Sequence, residues 1–151
     1  MSAAAAPSAV LLARGIGRAL QQLGYASLAE FPLANGRRAD LLALDRNGEI
    51  LIVEIKTSAA DFRADRKWGS YKDYADRLYF AVPNDFPLLL IPEDCGVIVA
   101  DGFGAAILRH GVSNPLAAAR RRAVTLRFAI TAAARLRRQL DPDAGLLPDG
   151  F

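Results

Sequence analysis

Apolar and polar positions change their period several times along the chain, and each change marks an element. Between Ser8 and Leu23, the residues Leu12, Ile16, Ala19, Leu20 and Leu23 recur at helical spacing behind Ser8 as a cap, and Gly24 stops the segment. Residues 26–33 read as a first strand, which Pro32 confines to an edge or a bulge. Two apolar runs, 39–44 and 50–55, flank Asp45-Arg46-Asn47-Gly48 in the manner of a β-hairpin. Residues 61–77 are polar, aromatic and helical in character, with a break predicted at Gly69 and a capping box of Ser70 and Asp73 opening the second piece. A buried strand follows at 78–82, then a loop punctuated by Pro83, Pro87 and Pro92. Residues 97–100 and 105–109 flank Asp101-Gly102-Phe103-Gly104 as a final hairpin. From Leu116 to Leu140 runs one long helix. A 100° step gathers Leu126, Ala129, Ile130, Ala133, Leu136 and Leu140 on one side and Arg120, Arg127, Arg135 and Arg138 roughly opposite, which predicts a packed apolar face and a basic outer stripe.

This order of helix, three strands, helix, strand, hairpin and closing helix predicts an α/β domain with a mixed β-sheet. At 151 residues the chain has the length of a single domain, 1–151, with 1–8 and 141–151 as loosely ordered tails. Hydrophobic residues at 52% and charged residues at 23% exclude a disordered chain. The longest apolar runs fall far short of the ~20 residues that span a bilayer, so no membrane partner is expected. The first residues lack a basic leader before their apolar stretch, and Cys95 is the sole cysteine, excluding an intramolecular disulfide and a multi-thiolate zinc site. A cytoplasmic location is expected. The net charge of +3 is unevenly distributed: residues 114–151 carry seven basic against three acidic side chains, whereas 1–113 carry twelve against thirteen. Such asymmetry points to an anionic partner.

The chemistry concentrates around the first hairpin. Side chains alternate along a strand, so Glu54 and Lys56 share a face with Ile50 and Ile52. Whether Asp40 joins them depends on the hairpin register, because a slip of one residue turns every side chain over. A two-residue Asn47-Gly48 turn pairs Asp40 with Ile55 and builds no site. A three-residue loop, Arg46-Asn47-Gly48 with Gly48 left-handed, pairs Asp45 with Glu49 and Asp40 with Glu54; Asp first and Gly fourth in a type I turn favour it. Asp40 and Glu54 then have Cβ atoms about 4.5–5.5 Å apart, close enough to share a cation. Magnesium, with manganese as its substitute, suits hard oxygen donors, and the backbone carbonyl of Ile55 offers a third ligand beside Asp40 and Glu54. Lys56 is then placed to serve the attacking water in phosphodiester hydrolysis. Arg37, Arg38, Lys67 and Lys72 are candidate phosphate contacts.

The spacing of Asp40, thirteen residues, then Glu54-x-Lys56 on a hairpin resembles the PD-(D/E)XK nuclease superfamily, which includes restriction enzymes and Holliday-junction resolvases. More narrowly, GRRAD, VEIKTS, DFRADRKW, YKDYADRLYFAVP and IPEDCGVIVAD resemble the MmcB-type bacterial DNA-repair proteins over roughly residues 10–138. The resemblance implies a restriction-endonuclease-like mixed β-sheet flanked by helices, Asp40 and Glu54 as metal ligands, Lys56 as the catalytic lysine, and damaged or structured DNA as substrate. Ala39 stands where the superfamily has proline, and the first helix carries no acid where some members carry Glu.

Two functions stay open on this reading: a magnesium-dependent DNA endonuclease, and a DNA-binding repair module that keeps the fold without cleaving. A stand-alone interaction domain with an accidental acidic pair is a third, and a two-fold homodimer is the expected form of any self-assembly. Tyr74 and Cys95 read as core, Trp68 as core or a base-stacking platform, Glu30 as exposed, and His110 as structural or exposed rather than as a ligand.

Overall fold

The structure is a computed structural model and describes residues 8–148. Of the expected tails at 1–8 and 141–151, residues 1–7 and 149–151 lie outside the described residues. Six strands form one sheet in the order β1 (Tyr25–Pro32), β2 (Arg38–Asp45), β3 (Ile50–Ile55), β4 (Arg77–Val82), β5 (Gly96–Ala100) and β6 (Ala105–Arg109). The pairs β1–β2, β2–β3 and β5–β6 are antiparallel, while β3–β4 and β4–β5 are parallel. Helix α1 (Ala9–Gln22) packs on one face; α2 (Ala59–Ala64), a 3₁₀ turn at Trp68–Tyr74 and α3 (Ala118–Leu140) serve the other. This is the predicted mixed sheet flanked by helices, compatible with a restriction-endonuclease-like arrangement.

Alternation sorts the strands into two cores. Leu41, Ala43, Leu51, Val53, Ile55, Tyr79 and Ala81 meet Leu12, Ile16 and Leu20 of α1. Helix α1 sits close because Gly15 lies against the β5–β6 turn, where an added Cβ would stand 2.0 Å from the Asp101 carbonyl oxygen. Leu42, Ile50, Ile52, Phe80 and Val82 face the other way, toward Tyr71, Phe86 and Val124. Parallel β3 and β4 require a crossover, and residues 56–76 supply it, laying α2 and the 3₁₀ turn across the face on which Glu54 and Lys56 emerge.

Two local expectations give way to tertiary forces. Residues 61–77 break at 65–67 rather than at Gly69. Ser58 caps α2, its Oγ accepting from the Asp61 N–H at 3.1 Å while Asp61 accepts from the Thr57 N–H; the box predicted at Ser70 and Asp73 for the second piece does not form, the 3₁₀ turn has no side-chain cap, and Ser70 donates to the Lys67 carbonyl. The helix stops where Asp65 turns toward Lys56.

Helix α3 lies the other way round from its amphipathic expectation. Val124 and Thr131 are its buried residues, Phe128 packs beside them, and Leu126, Leu136 and Leu140 are 60%, 56% and 74% exposed. Its arginines are what fasten it. Arg121 forms a two-pronged pair with buried Asp76 at 2.5 and 2.6 Å and donates to the Gly48 carbonyl. Arg120 lies over the Tyr74 ring at 4.5 Å, and Arg135 donates to the carbonyls of Ala29 and Glu30. Guanidinium groups find carbonyl and carboxylate acceptors on the domain surface that leucine cannot satisfy. Among the described residues, no helix is long and apolar enough to cross a membrane.

Candidate functional site

The hairpin register decides whether a site exists. Gly48 is left-handed at φ +84°, its N–H donates to the Asp45 carbonyl, and the Asp45 N–H donates to the Glu49 carbonyl. The three-residue loop therefore forms. Pairing runs from Leu44–Ile50 to Leu41–Val53, and one further step sets Asp40 across from Glu54.

At that step side chains take over from the backbone ladder. The Asp40 N–H donates to Glu54 Oε1 at 3.1 Å, and the Ile55 N–H donates to Asp40 Oδ2 at 2.8 Å. Ala39 stays paired with Phe31 of β1. Each carboxyl is thus fixed through one oxygen by the neighbouring strand's backbone, at the carboxyl end of β3, where open α/β sheets commonly place their ligands.

The electrostatics follow from burial. Glu54 is 3% exposed; that burial, and then the nearby Asp40 charge, push its carboxyl up to about 9. Lys56 is 6% exposed, and its Nζ donates to Asp65 Oδ2 at 2.7 Å. Burial alone would raise Asp65, but the Lys56 ammonium and the Lys67 N–H outweigh it and hold that carboxyl below its usual range. Tyr71, buried beside the group, donates to the Arg38 carbonyl at 3.2 Å; burial, then the charges of Glu54, Asp40 and Asp65, push its hydroxyl up to about 12. The cluster opens at Asp40, which is half-buried, and not at Glu54 or Lys56. Among the described residues no group of three or more His, Cys, Asp or Glu stands together as a metal cluster.

The other nominated residues divide. Arg37 is half-buried, and its charge is felt at both Asp65 and Tyr71. Arg38 is exposed on the β1 side, 4.0 Å from Glu30. Lys67 is exposed, with its N–H on Asp65. Lys72 is engaged by Asp94 and lies 5.4 Å from the Trp68 ring, so it is not held by either carboxyl of the pair. Trp68 packs edge-on to Phe80, Cys95 is buried, and His110 shares a hydrogen bond with the Tyr79 hydroxyl. Glu30 is exposed, as expected. Asp65 and the site-facing hydroxyl of Tyr71 are what the sequence reading missed. The segment DFRADRKW holds Asp61 and Asp65 four residues apart, and nothing local distinguishes the one that reaches Lys56.

The sequence profile of the DNA repair protein MmcB-like family matches residues 1–143. The chain belongs to the MmcB-like DNA repair family. Its DNA repair role follows from that membership. No curated protein matches the chain. Among solved structures, a protein of unknown function from Silicibacter pomeroyi is 41% identical, with 91% of this chain and 94% of that chain covered and a TM-score of 0.86. The two chains thus share their architecture nearly end to end. A repair endonuclease from Pyrococcus abyssi is 17% identical over 54% of this chain and 40% of its own, with a TM-score of 0.37.

Proposed function

We propose that this MmcB-like protein is a magnesium-dependent DNA endonuclease of the PD-(D/E)XK type, acting on damaged or structured DNA. The observation that carries the reading is the paired placement of Asp40 and Glu54, each anchored through one oxygen by a backbone N–H. That leaves Asp40 Oδ1 and Glu54 Oε2 as the oxygens for a cation. The N–H and C=O of a residue in an antiparallel pair face the same neighbour, so the Ile55 carbonyl lies on the Asp40 side as a third donor. Two carboxyls that repel each other, one driven to about 9, fit a hard divalent cation that removes the conflict. When bound, Mg²⁺ or Mn²⁺ supplies Lewis-acid polarisation of a phosphodiester. Lys56 contributes a fixed ammonium beside the pair, oriented by Asp65, and Arg37 contributes positive charge at the same end of the sheet.

Supercoiled, branched and single-stranded DNA incubated with Mg²⁺ or Mn²⁺ should be cut by the wild type and not by Lys56→Ala. Absence of cleavage on every substrate, with DNA retained equally by both proteins, would establish the second reading, a non-cleaving DNA-binding module. The burial of Lys56 and its engagement by Asp65 favour that second reading.

A further inference from the structure

Helix α3 carries seven arginines and no acid. A helix C-terminus bears about half a negative charge, so the two arginines of the last turn already exceed what the dipole can offset. Several of these arginines converge. Between the C-terminal half of α3, the β1 edge and residues 145–147 lies a cavity of about 430 Å³ with Arg38, Arg135, Arg137 and Arg138 in its wall. Among the described residues, Glu30 is the only acid in that wall, against four guanidinium groups.

Two further features mark the wall. Thr131 lines the cavity, is 8% exposed, and its Oγ1 is buried without a hydrogen-bond partner, the only such side-chain atom among the described residues. Glu30 holds a left-handed backbone at φ +49°, a conformation that persists only where its surroundings enforce it. Arg135 grips the carbonyls of Ala29 and Glu30 at 2.6 and 2.8 Å, which fixes its guanidinium at the wall. Burial, then the neighbouring charge of Arg138, hold Arg135 below its usual range, as positive charges crowded together would.

We propose that this cavity is a phosphate-binding site, separate from the Asp40–Glu54 pair, that holds the backbone of a DNA strand passing that pair. Arginine forks match phosphate oxygens bidentately. The placement suits one strand touching both sites: Glu30 occupies the register position across from Asp40, between Ala29–Leu41 and Phe31–Ala39, and adjacent strands lie about 4.8 Å apart. The proposal rests on DNA as the substrate of the neighbouring site, but not on metal or cleavage there.

The test is fluorescence anisotropy of labelled single-stranded and duplex oligonucleotides in EDTA, as a function of salt. Arg137→Ala/Arg138→Ala should weaken binding on the order of tenfold and lower the log–log salt slope by about 1.4–1.8. A control with the same charge loss at exposed positions outside the cavity, Arg46→Ala/Arg122→Ala, should change both far less. Equal losses in the control and cavity variants, or no loss in the cavity variant, would overturn the proposal. A preference for 5′-phosphorylated oligonucleotides, with competition by inorganic phosphate, would assign the cavity to a terminal phosphate; indifference to both would assign it to the internal backbone. Failure of the wild type to give heat with Mn²⁺ would sink the metal reading and leave this one standing.

Discussion

Glu54 shows how one residue ties the hairpin to its chemistry. Its carboxyl sits at about 9 in the fold because it is buried and faces Asp40, whereas an unfolded chain leaves a glutamate near 4.3. A raised carboxyl contributes stability that is fully present below the unfolded value and lost as pH rises toward the folded one. Stability in EDTA should therefore decline between about pH 4.5 and 9. Glu54→Gln keeps an acceptor for the Asp40 N–H and removes the ionisation, so it should flatten this slope in thermal melts taken across that window. A wild-type melting temperature independent of pH there would show that the two carboxyls do not interact as described. Both residues, and Lys56, were legible from spacing alone. Asp65 was not, because what selects it over Asp61 is proximity across the crossover rather than anything in its neighbours in sequence.

Among the elements, α3 most clearly separates pattern from placement. Its length was readable from composition and period, but its orientation was not, because the apolar and arginine faces compete for the same surface and Asp76 settles the outcome. Asp76 accepts from the N–H groups of Ile50 and Leu116 and from both Arg121 nitrogens, joining β3, the connection into α3 and α3 itself. Burial would raise its carboxyl, but the Arg121 guanidinium and those backbone donors outweigh burial and hold it below the usual range. A depressed carboxyl stabilises above its unfolded value and loses that stabilisation as pH falls through the folded one. Asp76→Ala should cost about 1–3 kcal/mol in urea unfolding at neutral pH, since it leaves the Ile50 and Leu116 amides without their acceptor and the half-buried Arg121 without its carboxylate. The deficit should shrink as pH drops below about 4, where the wild type loses the same ion pair. A deficit unchanged at low pH would mean that packing, not charge, carries the effect.

Taken whole, the molecule places the acidic pair at the end of a six-stranded sheet, with α3's arginines along the neighbouring edge. A cation that binds only the folded state stabilises it by mass action, by about 2.7 kcal/mol at a hundred times the dissociation constant. For a chain of this size that is a rise of roughly 5–10 °C in the melting temperature. Mn²⁺ should produce it for the wild type and not for Asp40→Asn; identical shifts would place the ion elsewhere. The sequence by itself determined the mixed α/β order, the three-residue turn and the shared face of Asp40, Glu54 and Lys56, because each follows from local rules: period two in strands, the sterics of Gly48, and the pattern of apolar runs. The tertiary structure alone decided which carboxylate meets Lys56, which face of α3 is buried, and that Arg38, Arg135, Arg137 and Arg138 enclose a common cavity. Those outcomes depend on contacts between residues as far as 106 positions apart, where buried charges and backbone groups must find partners, and one-dimensional periodicity carries no record of that competition.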